Sequence, residues 1–155
     1  VGFSVSNDDL SCPCGSRLTL SSCCARFWLG RTVSAPEELM RARYSAFALG
    51  QVEFLMASLH PSRHQADELV QLNKSLANTQ WLALHVIAAQ GNSVEFAAFY
   101  RQQDKLGQLH ERSRFVLEEG RWWYLDGDFL PPLKWERNAV CWCGSDAKYK
   151  KCHGA

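Results

Sequence analysis

Apolar positions along the chain first follow a helical period and then change abruptly to the alternation of strands. Leu39, Met40, Arg43, Tyr44, Phe47 and Ala48 recur at helical spacing, with Pro36 in the first turn and Gly50 as the stop, so a helix is predicted over 35–49. Ser34 followed by Glu37 reads as its capping box. A second helix carries Val52, Leu55, Met56 and Leu59 and stops at His60-Pro61. The third covers roughly Gln65 to Ser75, on Leu69, Val70, Leu72 and Leu76.

From Thr79 the pattern becomes that of strands, with runs over 81–89, 94–103, 109–118 and 121–126. The separators Gln90-Gly91-Asn92, Lys105-Leu106-Gly107 and Glu119-Gly120 are turn-like, which predicts consecutive hairpins and a four-stranded antiparallel meander. Apolar residues fall on both parities, as in Val94, Phe96 and Ala98 against Ala97 and Phe99. Both faces are therefore expected to be partly buried, one against the three helices and the other over a cavity or under a partner. Helices followed by a curved sheet make an α+β domain.

The ends of the chain follow neither period. Cys12-Pro-Cys14-Gly-Ser begins a segment that closes on Cys23-Cys24, and Cys141-Trp-Cys143-Gly-Ser begins one that closes on Cys152-His153, with eight residues between the inner ligands in both. All seven cysteines are used. An odd count argues against a complete disulfide framework, whereas four thiolates in one copy and three thiolates with an imidazole in the other are closed tetrahedral sets. Two structural zinc ions are expected, with iron a minor alternative. The competing reading is that one copy is a capped loop with buried cysteines. The predicted division is 1–30 for the first knuckle, 31–134 for the α+β domain and 135–155 for the second, with residues 1–11 loose.

Near-neutral charge, with 17 Lys and Arg against 16 Asp and Glu, and the lack of a basic stripe argue against nucleic acid. No run approaches a membrane span, the first residues lack a signal-peptide pattern, and free thiols fit the cytoplasm.

Candidate chemistry outside the knuckles is confined to His110, Glu111, Arg112, Ser113 and Arg114. Alternation puts His110, Arg112 and Arg114 on one side and Glu111, Ser113 and Phe115 on the other. The first set, joined by His85, Glu95 or Asp126, would favour an anionic ligand if it pointed into a pocket; otherwise its opposite-face neighbours Glu111 and Ser113 would form the polar lining. The alternative is cross-strand pairing on a wetted face. No phosphate loop, serine elbow or His-Glu-x-x-His motif is present. In the tail, Lys148, Tyr149, Lys150 and Lys151 with Trp142 make a basic, aromatic knuckle suited to an acidic partner, or a merely solvated loop.

The tail resembles the SEC-C motif of the preprotein translocase ATPase SecA, with Cys141, Cys143, Cys152 and His153 at its ligand positions. That resemblance implies protein binding, to an export chaperone or the ribosome. The whole chain resembles the uncharacterised bacterial YchJ family through Leu39-Met-Arg-Ala-Arg43-Tyr44, Thr79-Gln-Trp81-Leu82, Glu111-Arg-Ser-Arg-Phe115 and Trp122-Trp-Tyr-Leu-Asp-Gly127. It implies an NTF2-like cone in the middle, a fold that does not choose a function. Two functions are expected to compete: a non-enzymatic zinc protein docking through its tail, and a small-molecule binder or enzyme using the cone. Redox sensing by the vicinal Cys23-Cys24 pair is a third reading. The sequence leaves the oligomeric state open.

Overall fold

The computed structural model describes residues 10–155. The expected loose segment lies largely outside them.

A short helix α1 (Ala25–Trp28) follows the first cysteine loop. Three further helices, α2 (Pro36–Leu49), α3 (Val52–Ser58) and α4 (Glu68–Asn78), precede a single sheet of β1 (Gln80–Gln90), β2 (Ser93–Gln102), β3 (Lys105–Glu118) and β4 (Arg121–Phe129). The strands lie in sequence order, antiparallel throughout. Three helices on a four-stranded meander is the architecture expected from the change of period.

Local chemistry accounts for the helix ends. Gly50 terminates α2 in the left-handed conformation, its N–H bonding the Ala46 carbonyl. The start of α2 is shifted from the predicted capping box. Ala35 is the N-cap, so Glu38, not Glu37, occupies the third helical position and accepts from Ser34 N and Oγ, both at 3.0 Å. Helix α4 starts three residues later than predicted, because the chain after the Pro61–Arg63 turn stays extended at His64. Leu69 and Val70, expected on its apolar stripe, are exposed, and α4 buries no residue.

The predicted turn at Lys105-Leu106-Gly107 lies within a strand. Chain reversal occurs instead at Gln103-Asp104, both at positive φ (49° and 63°), a two-residue turn without the glycine that usually marks one. Gly107 serves packing. A Cβ there would collide with the Tyr100 ring across the strand pair. Irregular register at Trp81/Ala83, Val86/Ala88 and Arg114/Phe115 bends the sheet.

Both sheet faces are covered, which explains the apolar residues on both parities. On the inner face Leu84, Val94, Phe96, Ala98 and Phe115 pack with Leu39, Met40 and Tyr44 of α2 and with the cysteines of the first knuckle. On the outer face Ala97 and Phe99 pack under Leu133, Trp135, Cys141, Trp142 and Tyr149. The outer face was expected to curl over a cavity or meet a partner. It is covered by the protein's own C-terminal segment, and the cavity lies on the helix side.

Candidate metal centres and the cone cavity

The two knuckles share one backbone course, turn by turn. Gly15 and Gly144 take φ of 83° and 85°, and Arg17 and Asp146 take 68° and 66°. Isolated bridges Ser11 to Thr19 and Val140 to Lys148 close each loop, and one turn of 3-10 helix, Leu20–Ser22 or Tyr149–Lys151, delivers the last ligands. Cys12 N donates to Leu18 O at 2.9 Å, as Cys141 N does to Ala147 O at 2.8 Å. The recurrent Gly-Ser after the second cysteine thereby has a cause. Glycine takes the left-handed turn, and the serine hydroxyl accepts from the backbone two residues on, at 3.2 Å from Leu18 N and 3.3 Å from Ala147 N.

Cys12, Cys14, Cys23 and Cys24 bring their ligand atoms within 4.8 Å of one another, as do Cys141, Cys143, Cys152 and His153. A tetrahedral ion with metal–sulfur bonds of about 2.3 Å needs sulfurs about 3.8 Å apart. Cys14 to Cys23 and Cys143 to Cys152 are 3.6 Å, and Cys23 to Cys24 is 3.9 Å. His153 Nδ1 stands 3.3 Å from both Cys141 and Cys152 sulfurs. The donor sets therefore fit a closed tetrahedral ion.

Their settings differ. The first set is wholly buried, with Ser45 Oγ 3.4 Å from Cys12 Sγ and Arg41 Nη1 donating to Cys14 O at 2.8 Å, so α2 grips it from the core side. In the second, Cys143, Cys152 and His153 are only partly buried. This set is held on the sheet by His85 Nε2, 2.8 Å from Trp142 O.

The inner face also encloses a partly open cavity of about 270 Å³. Its polar lining includes Arg43, Ser75, Glu111, Ser113 and Tyr124. Of the two sets the sequence offers as pocket lining, the cavity receives Glu111 and Ser113, while His110, Arg112 and Arg114 lie outside it. His110 bonds Glu95 at 2.8 Å and Pro131 O at 2.7 Å, and Arg112 reaches the other oxygen of Glu95 at 3.2 Å. Arg114 pairs with Asp126 and Asp128, each at 2.5 Å. These three serve cross-strand pairing and chain anchoring. The hydrogen bond from His110 holds Glu95 below its ordinary range, and Arg114 does the same for Asp128.

Residues 35–127 match the family model described as the middle NTF2-like domain of YchJ. The chain belongs to the YchJ family. Residues 137–155 match the SEC-C motif. A UPF0225 protein of Vibrio cholerae is 41% identical over 152 residues, covering 94% of this chain and all of its own length. One from Enterobacter sp. is 40% identical over 150 residues, with 92% and 97% covered. The solution structure of a SEC-C motif containing protein from Rhodopseudomonas palustris superposes with a TM-score of 0.71 at 30% identity, over 79% of this chain and all of that one. A crystal structure of a SEC-C motif containing protein from Psychrobacter arcticus shares the fold, with a TM-score of 0.59 at 24% identity over 95% of this chain and 97% of that one.

In this YchJ family member the cavity lies within the NTF2-like segment and the second donor set within the SEC-C segment. Of the tail residues expected to face a partner, Trp142 does not: it is 5% exposed, packed against Phe99 and His153. An aromatic next to a metal ligand is drawn inward because the ligand itself is. Tyr149 is half-buried and packs beside Gly154. Lys148 and Lys151 are exposed, with Lys150 partly so. Sequence reasoning missed Tyr124 as part of the pocket and Gly127 as the neighbour of Glu111. A Cβ on Gly127 would lie 2.7 Å from Glu111 Cδ, so this glycine makes room for the buried carboxyl. The signal was there in the Trp-Trp-Tyr-Leu-Asp-Gly run, but only tertiary packing gives it meaning. No helix among the described residues is long and apolar enough to cross a membrane.

Proposed function

We propose that this protein is a non-enzymatic, zinc-ordered interaction protein whose C-terminal knuckle docks an acidic protein surface. The observation that carries this reading is the asymmetry between two knuckles of one geometry. The ligands of the first are buried in the core, and the residues its loop exposes, Gly15, Arg17, Leu18 and Ser22, offer a single cation. The second presents Lys148 and Lys151, with Arg137 exposed beside them, on a loop whose other side is pinned to the sheet. A rigid cluster of cations attracts an acidic patch and loses little conformational entropy on binding. Zinc is the ion that closed sets of four thiolates, or of three with one imidazole, hold in structural sites. The residues that would hold it are Cys12, Cys14, Cys23 and Cys24, and Cys141, Cys143, Cys152 and His153. It would supply cross-linking of the two loops. An export chaperone or a ribosomal protein is a candidate partner, on the likeness of the tail to SEC-C motifs. The free thiols suit a reducing compartment such as the cytoplasm.

The test is affinity capture from lysate with the intact protein and with Lys148→Glu/Lys151→Glu. Deleting 137–155 would uncover Phe99 and confuse docking with exposed apolar surface. Loss of specific partners in the double variant, with binding that weakens as salt rises, supports the reading. Recovery of the same proteins by both forms overturns it.

A further inference from the structure

The cone cavity holds polar groups that folding alone does not require. Glu111 is 8% exposed and Ser113 1% exposed, on a wall that includes Met40, Phe47, Phe96, Leu109, Phe115 and Phe129. Burial of a carboxyl among such residues is unfavourable unless its oxygens are satisfied. One hydroxyl does part of this: Ser113 Oγ donates to Glu111 Oε2. A second device is Gly127, which leaves the space the carboxyl occupies.

Arg43 is the other half of the polar wall. Its Nη1 donates to Leu55 O at 2.9 Å and to Ser58 Oγ at 2.6 Å, and its guanidinium lies 4.5 Å from the centre of the Tyr124 ring. Burial lowers it to about 10. Among the described residues no cation lies within ion-pair distance of Glu111, so a carboxyl and a guanidinium share one cavity without closing on each other. Leaving the two buried groups apart forgoes the pairing that would offset their desolvation. Here the carboxyl keeps acceptor capacity beyond its one hydroxyl donor, Ser113.

We propose that the cavity binds a neutral, planar aromatic molecule of about a dozen non-hydrogen atoms that donates an O–H or N–H to Glu111. The size follows from a volume of about 270 Å³, roughly nine waters at liquid density and somewhat more of the closer-packed atoms of an organic molecule. Planarity follows from the aromatic walls, Tyr44, Phe47, Trp81, Phe96, Phe115 and Tyr124. Neutrality follows because a ligand cation would meet the Arg43 guanidinium, while a ligand anion would find Arg43 Nη1 already committed to Leu55 O and Ser58 Oγ. This ligand site is separate from the docking surface, and its test does not depend on the tail.

The probes are 2-naphthol, its methyl ether 2-methoxynaphthalene, which keeps the oxygen but cannot donate, and the anion 2-naphthoate. Each is titrated calorimetrically into the full-length, metal-loaded protein. The expected result is 2-naphthol binding about tenfold tighter than either of the others. Intermolecular nuclear Overhauser effects should place it against the Phe115 and Tyr124 rings. Glu111→Leu, checked for folding by circular dichroism, should bring 2-naphthol down to the ether. Should that variant not fold, the wild-type ratio of naphthol to ether decides by itself. Equal affinity for naphthol and ether, preference for naphthoate, contacts outside the cavity, or absence of binding by all three would each overturn the proposal.

Discussion

Trp142 lies flat on Phe99, ring centroids 4.3 Å apart and planes within 5°. One residue sits between two metal ligands and the other at the centre of the outer sheet face, so this stack joins the second metal loop to the fold. His85 adds to the joint, its ring edge-on to Phe99 and its Nε2 bonded to the carbonyl of Trp142. Trp142→Ala should destabilise the whole protein by about 3–5 kcal/mol, the usual range for truncating a large buried aromatic. Phe99→Ala should do the same, and the double variant should fall short of the sum because both lose one contact. Urea denaturation followed by circular dichroism measures all three.

Metal content should be two ions per chain, falling to one in Cys152→Ser, by native mass spectrometry. The two sites should release metal in order. Cys143, Cys152 and His153 are partly exposed, whereas every ligand of the first site is at most 8% exposed. A chelator should therefore strip the second ion while the sheet stays folded, and removal of the first should coincide with unfolding of the domain. Simultaneous loss of both ions without unfolding would contradict this order.

Glu111 gives stability a pH dependence of defined sign. Burial pushes its carboxyl up, the Ser113 hydroxyl and the Arg43 charge only partly countering. The folded state therefore holds a proton that the unfolded chain releases at about pH 4.3. Its contribution is fully present below that pH and is lost as pH rises through the raised folded value. Glu95 and Asp128, both held down, act oppositely, their contribution being lost as pH falls. Glu111→Gln should remove the decline on the neutral side and leave the acid limb unchanged, in denaturation midpoints recorded across pH.

Gly127→Ala should cost about 1–3 kcal/mol as an overpacked site. Its new methyl would press on the Glu111 side chain 2.7 Å away. Pairing it with Glu111→Ala should recover most of the loss, since the smaller side chain removes the collision. Thermal unfolding of the single and double variants tests that rescue.

Much of this protein is legible without its structure. Both metal sets were readable because each is a short loop in which all four ligands, the glycine turn and the serine lie within about a dozen residues, and such local geometry is written in spacing. Helices and strands were readable because a change of period reports which side of each element is apolar. Turn details were less so: Gln103-Asp104 reverses the chain without glycine, while Gly107 makes room for the Tyr100 ring.

Tertiary structure alone decided which parity of β3 faces the cavity. An alternating strand states that two faces exist, and with both faces buried the hydrophobic pattern does not rank them. Docking of Leu133, Trp135 and Trp142 on the outer face settles the matter: it turns His110, Arg112 and Arg114 outward and leaves Glu111 and Ser113 in the cone. The same docking gives two knuckles of one local geometry different surroundings, because burial depends on distant residues that the spacing of cysteines does not specify.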